Sequence, residues 1–269
     1  MTWYRIAALA RKDAAELLRN PGAILPAILM VFASLFPAFL VIVVTPRLIG
    51  ERLEESEFSE QAANAAASLP ELAGLAGDGL VQAYMFHQFS VLLLLVPIVG
   101  AMALATHAVI GEKQAKALEP ILATPITTIE LLVAKTLAPF LFALALSWTA
   151  VLLYLLGAWL FGEPGVWQAV AGGRLVVMFV VVGPLVELAA LLLSVIVSSR
   201  ASDPRSAQQI SALLILPVTA VFIAQLMGAL ILSVAMLLAA ALGALLINLG
   251  LLAVGVQVFH RETILTRWT

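Results

Sequence analysis

From Ser206 to Phe259 the chain runs for 54 residues without a charged side chain. As one straight helix rising about 1.5 Å per residue it would be roughly 80 Å long, more than twice the ~30 Å hydrocarbon core of a bilayer. A stretch of this kind has to fold back on itself, and Gly228 and Ser233 mark where the reversal is expected. The remainder of the chain has the same character. Of its 269 residues 63% are hydrophobic and 11% charged, against about 25% charged in soluble domains, and the mean hydropathy is +1.09. The sequence therefore predicts an all-α, multi-pass membrane protein.

Charge-free stretches place six spans, at about 23–45, 87–110, 137–161, 175–197, 208–225 and 234–259, in one transmembrane domain over 23–259. They leave an outer loop at 46–86, a loop at 111–136 and a tail at 260–269. Residues 1–22 lack a compact apolar stretch ending in a small-residue cleavage site, so no signal peptide is expected. As a helix this segment turns Trp3, Ile6, Leu9 or Ala10, Leu17 and Leu18 to one side. Arg5, Arg11, Lys12, Asp13 and Glu16 surround the rest, the pattern of an amphipathic helix lying in the membrane interface. Asn20-Pro21-Gly22 ends it.

Lys and Arg divide unevenly between the two sides. Eleven of the 14 fall in 1–22 (Arg5, Arg11, Lys12, Arg19), in 111–136 (Lys113, Lys116, Lys135), after the fourth span (Arg200, Arg205) and in the tail (Arg261, Arg267). Arg47, Arg52 and Arg174 make up the other side. The positive-inside rule then expects both termini in the cytoplasm. The net charge of −2 carries no separate argument, and no nucleic-acid partner is expected. There is no cysteine, which excludes disulfides, thiolate metal sites and thiol nucleophiles. The outer loop opens with the acidic run ERLEESEFSE, read either as a solvated helical cap or as a means of concentrating cations at an external mouth.

The segment Gly111–Lys135, GEKQAKALEPILATPITTIELLVAK, is a polar interruption with internal order. Leu118, Ile121 and Leu122 form a short apolar stripe at helical spacing. Pro120 fits the first turn of a helix or kinks it, and Thr124-Pro125 turns the chain out of helix again. Thr127-Thr128-Ile129-Glu130 matches the capping box that opens a new helix. The bland reading is a connection between spans; the sharper one is a short helix across the cytoplasmic face that presents its stripe to a soluble partner.

This segment resembles the most recognisable motif of the ABC-2-type permeases, the membrane subunits of ATP-binding-cassette exporters. The motif is a Glu-Lys, then a Leu-Glu-x-Leu-Leu-x-Thr-Pro run, then a Lys opening the next span. SSRASDPRSAQQISALLILP after the fourth span and FHRETILTRW near the end fit the same order more weakly. Ala117 departs from the Gly-Thr that many relatives carry before Leu-Glu, in the direction of better helix formation. The resemblance implies a type-2 exporter transmembrane domain in which the helix within 112–125 is a coupling helix docking on a separate ATPase. It would assign that role to Glu112, Lys113, Leu118, Glu119, Pro120, Leu122, Thr124 and Pro125. It also implies a second permease chain, expected as a homodimer, in a prokaryotic cell membrane, with ATP and Mg bound by the partner ATPase. The chain has no Gly-x-x-x-x-Gly-Lys-Ser/Thr phosphate loop, so no cofactor or ATPase activity of its own is expected.

In SSRASDPRSAQQ, Ser202 or Asp203 can cap and Pro204 suits a first helical position. Arg200, Asp203 and Arg205 thus read either as a second cytoplasmic contact or as the start of span five at the lipid headgroups. Glu187 stands at the middle of span four, where an ionised carboxylate costs about 2.5–3.5 kcal/mol on insertion scales. It is read as lining a pathway, binding a cation or proton, or hydrogen-bonding across helices beside Gly183-Pro184. His87 and His107 are expected to be interfacial or buried, and Gln225, Asn248 and Gln257 to bond between helices. His-Glu-x-x-His and Gly-x-Ser-x-Gly are both missing, so no catalytic or metal site is expected. The alternative function is an ion-coupled secondary transporter or channel using Glu187.

Overall fold

Pro21 begins a helix two residues after another has ended, which sets the entry to the bundle in the computed structural model. The structure describes residues 3–50, 52–114, 127–200, 206, 209–210 and 212–258. Helix α1 is Trp3–Leu18. Helix α2 runs through Pro21–Phe39, a π-helical stretch Leu40–Val44, and Thr45–Ile49, and stops at Gly50, whose φ of 75° takes the chain out of helix. A cap follows, with α3 (Phe58–Ala66) between short 3₁₀ turns at Leu53–Glu55 and Pro70–Leu72. Helix α4 comprises Gly77–Phe89, a 3₁₀ stretch Ser90–Leu94 and Leu95–Gln114. Then come α5 (Thr128–Phe161), the short α6 (Val166–Val170), and α7, made of Gly173–Val176, π-helical Val177–Val182 and Gly183–Arg200. Helix α8 (Ile215–Leu226) follows a 3₁₀ turn at Ala212–Leu214, and α9 is Val234–Val258. The described residues hold no strand.

Among the described residues, five stretches are long and apolar enough to cross a membrane: Ile24–Ile49, Gly77–Ala108, Glu130–Phe161, Gly173–Ser199 and Val234–Gln257. The chain is an all-α, multi-pass membrane protein. The stretch expected as span five is a shorter apolar helix, Ala212–Leu226. Two starts are earlier than hydropathy suggested. α4 begins at Gly77, ten residues before the expected 87, because Val81, Tyr84, Met85 and Phe86 are buried in the bundle and the polar groups among them find partners there. The expected outer loop 46–86 shrinks accordingly, and His87 lies inside α4, not at its end. α5 begins at Thr128, not 137, because its first turns absorb Glu130 and Lys135, both buried.

Close approaches define the directions. A Cβ on Gly79 would lie 3.6 Å from Glu163 and one on Gly100 3.3 Å from Ala143, so α4 and α5 are antiparallel. Trp148 Nε1 of α5 donates to the Phe179 carbonyl of α7 at 3.3 Å. Arg174 of α7 reaches His87 of α4, and Gly183 faces Leu94, so α4 and α7 run side by side in the same direction. α4 is the central helix: 89% of its most apolar stretch is buried, against 17% for α9. Two ends can then be distinguished. The acidic end carries the cap; the basic end carries α1, the end of α4 and the start of α5. One apolar cluster, with Tyr84, Phe86, Tyr154, Phe179 and Leu72, fills the acidic half. A second, with Leu17, Ile98, Leu104, Leu131, Leu191 and Val195, fills the basic half.

Candidate functional site

The first turn of α5 is closed by its own residues. Glu130 N–H donates to Thr127 Oγ1 at 3.3 Å, and Thr127 N–H donates to Glu130 Oε2 at 3.0 Å, the reciprocal capping box expected from the sequence. One turn further on, Lys135 Nζ donates to both oxygens of Asp13, at 3.1 and 3.0 Å. Both side chains are only 2% exposed. The buried face of α1 is accordingly Ile6, Ala10, Asp13 and Leu17, while Trp3 is exposed. Ile6, Ala10 and Leu17 are the expected face; it differs in that Asp13 turns inward, where a cation on α5 meets it, and in that Trp3, although in the same register, is the first residue of α1 and stays exposed.

Of the residues assigned to ATPase coupling, Glu112 and Lys113 lie in the last turn of α4, and their side chains are not described. Leu118, Glu119, Pro120, Leu122, Thr124 and Pro125 lie outside the described residues, as do Asp203 and Arg205. Arg200 is the final residue of α7.

Two further buried polar groups lie among the described residues of the bundle. At the acidic end Arg174, 2% exposed, donates from Nη2 to the His87 carbonyl at 2.7 Å. Sequence reasoning placed Arg174 in an outer loop; it is instead enclosed. Glu71 of the cap acts on its charge, and packs so closely over Gly172 that a Cβ there would lie 2.5 Å from Glu71 Cγ. Around it Tyr154 Oη donates to the Phe86 carbonyl at 2.6 Å and Tyr84 Oη to Gln61 Oε1 of the cap at 3.1 Å. Gln225 Nε2 of α8 donates to Gln88 Oε1 at 2.6 Å, and Gln88 Nε2 returns a bond to the Gln225 carbonyl at 3.3 Å. This layer joins the cap to α4, α5, α7 and α8. Asp78, in the first turn of α4, accepts from Glu54 N–H of the cap at 2.9 Å and pairs with Arg52 at 4.0 Å, and Arg52 pairs with Glu54 at 2.9 Å.

The second group is centred on Glu187, fully buried in α7, 14 residues after Gly173 and 13 before Arg200. It lies roughly 20 Å from either end of the helix. Neither carboxyl oxygen has a hydrogen-bond partner; the backbone of Leu144 on α5 is the polar group facing it. Asn248 of α9 sits at the same level, its Nδ2 donating to the Leu185 carbonyl at 2.8 Å and its Oδ1 unpaired. Seven and eleven residues on, Ser194 and Ser198 share the Glu187 face, fully buried with unpaired hydroxyls. Thr106 of α4 has the same character. The expected interhelical bonding is thus met by Gln225 and Asn248, whereas Gln257 is exposed. Ser194, Ser198 and Thr106 were missed, although the 187-194-198 spacing marks one helix face.

Among the described residues no three acidic or histidine side chains come together to hold a metal ion. Comparison of the sequence with protein-family models and with curated proteins finds no match.

Proposed function

We propose that the chain is the permease subunit of an ATP-driven exporter of the ABC-2 type, working as a homodimer with a separate ATPase that binds ATP and Mg. The observation that carries this reading is the bracketing of the motif: α4 stays helical to Gln114, and α5 restarts on the Thr127 capping box. Only a short segment, 115–126, joins two fixed helix ends. A push on it enters α5 within its first turn, and the buried Lys135–Asp13 pair makes α1 move with α5. Such rigid-body transfer is what alternating access requires.

α8 supports the six-span arrangement. Leu214 and Ile215 pack in the basic half, Gln225 bonds Gln88, and Gly228 lies against Gln61 of the cap, so α8 travels toward the acidic end despite its shortness. α9 returns, with Gly255 against Leu132 and Ile196. Six passes put both termini at the basic, cytoplasmic end.

The test is co-purification and transport with variants in the segment. Glu119→Ala or Leu122→Asp should detach or uncouple the ATPase while the permease still inserts. Normal ATPase binding and normal transport in both would overturn the reading. The unpaired carboxyl of Glu187 favours the second reading, an ion-coupled transporter, which active transport without any ATPase would establish.

A further inference from the structure

Hydroxyl groups in these helices are normally satisfied by their own backbone. Ser34, Ser90, Thr136, Thr149, Ser199 and Thr219 each donate to a carbonyl three or four residues back, at 2.6–3.1 Å. This is the ordinary solution in apolar surroundings. Thr106, Ser194 and Ser198 are fully buried and do not use it. A buried, unbonded hydroxyl costs about 1–3 kcal/mol, and three of them within the basic half of the bundle call for a common partner.

Their placement is coherent. The Arg174–His87 and Gly183–Leu94 contacts fix the register of α7 on α4 at 87 to 89 residues, which brings Thr106 level with Ser194. Ser194 and Ser198 continue the Glu187 face toward Arg200 at the basic end. Unpaired polar groups therefore descend along one face of α7 from the mid-membrane carboxyl to within two residues of the helix end, with Thr106 of α4 at the level of Ser194. The step from Glu187 to Ser194 is about 10 Å along the axis, a distance about three water molecules cover at ordinary hydrogen-bond spacing.

We propose that Glu187 is a proton-binding site reached from the basic end by water along its own face of α7, whose fixed hydroxyls are Ser198 and Ser194, with Thr106 of α4 at their level. A hydronium ion entering at that end gives its proton to the Glu187 carboxylate and leaves as water, turning a charged group in an apolar setting into a neutral one. A proton suits the site better than a metal cation because a single carboxyl stands there. Among the described residues no charged group faces it from α4, α5, α8 or α9. The titratable neighbours on those helices lie toward the ends: His87 and Tyr84 with Tyr154 on the acidic side, His107, Glu130 and Lys135 on the basic side. The inference stands on this geometry and does not depend on ATP as the energy source.

Infrared spectroscopy of the purified protein in lipid nanodiscs tests it without any transport assay. The wild type should show the carbonyl band of a protonated carboxyl, lost in Glu187→Gln and shifted in Glu187→Asp. An unchanged band in both variants, or one that appears only when sodium is withheld, would overturn the proposal. In a Thr106→Val, Ser194→Ala, Ser198→Ala triple variant the band should persist, but its shift on transfer to heavy water should be about tenfold slower. Equal exchange rates would overturn the route. Because ATPase binding enters neither readout, failure here is distinct from failure of the exporter reading.

Discussion

Asp13 and Lys135 are each unremarkable alone: one an acid on an amphipathic helix, the other a lysine near a span end. Together they form an ion pair with both side chains 2% exposed. Removing one partner from such a pair leaves a buried charge uncompensated and costs about 3–5 kcal/mol, whereas replacing both with apolar residues of similar size is much milder. Asp13→Leu and Lys135→Met should therefore each lower unfolding stability in detergent by about 3 kcal/mol, and the double variant should recover most of the loss. Equal losses that simply add would show that the two side chains act separately. This pair was not legible in the sequence because its members are 122 residues apart. The Thr127–Glu130 capping box was legible because everything it needs lies within four residues.

At the scale of elements, both π-helical stretches end two residues before a proline. Val44 precedes Pro46 and Val182 precedes Pro184. Proline has no N–H to offer, and its ring crowds the carbonyl four residues back. Widening the preceding turn moves that carbonyl aside and keeps a long helix continuous. At Phe179 the carbonyl within the wide turn accepts from Trp148 of α5. Packing between α2 and α5 has a different control point. A Cβ on Gly157 would run into the ring of Phe39, which also makes edge-on contacts with Phe86, Tyr154 and Phe161. Gly157→Leu should overfill this contact and cost about 1–3 kcal/mol, read as a lower unfolding temperature in detergent; an unchanged temperature would mean the α2–α5 contact is not close. The five long apolar helices were legible from charge-free length. The starts of α4 and α5 were not, because His87, Glu130 and Lys135 become acceptable inside a bundle only through partners that hydropathy does not see.

The whole molecule separates its charge by end: the cap with its acidic run lies opposite α1 and the start of α5. The absence of cysteine makes sidedness simple to measure. On intact cells, Ser68→Cys in the exposed cap should react with a membrane-impermeant maleimide, and Ala15→Cys on the exposed face of α1 should react only after disruption. The reverse pattern would invert the orientation. The join between α1 and the bundle also has a meaning in time. When Asp13 leaves the ribosome, its partner lies 122 residues behind it. At about 5–20 residues per second, that is on the order of ten seconds of synthesis. During that interval the α5 lysine that pairs with Asp13 in the folded bundle does not yet exist, so the N-terminal helix waits at the membrane surface while later helices insert. Its docking is a late step in biogenesis, and a chain stalled before residue 135 would be left with a loose, accessible N-terminus.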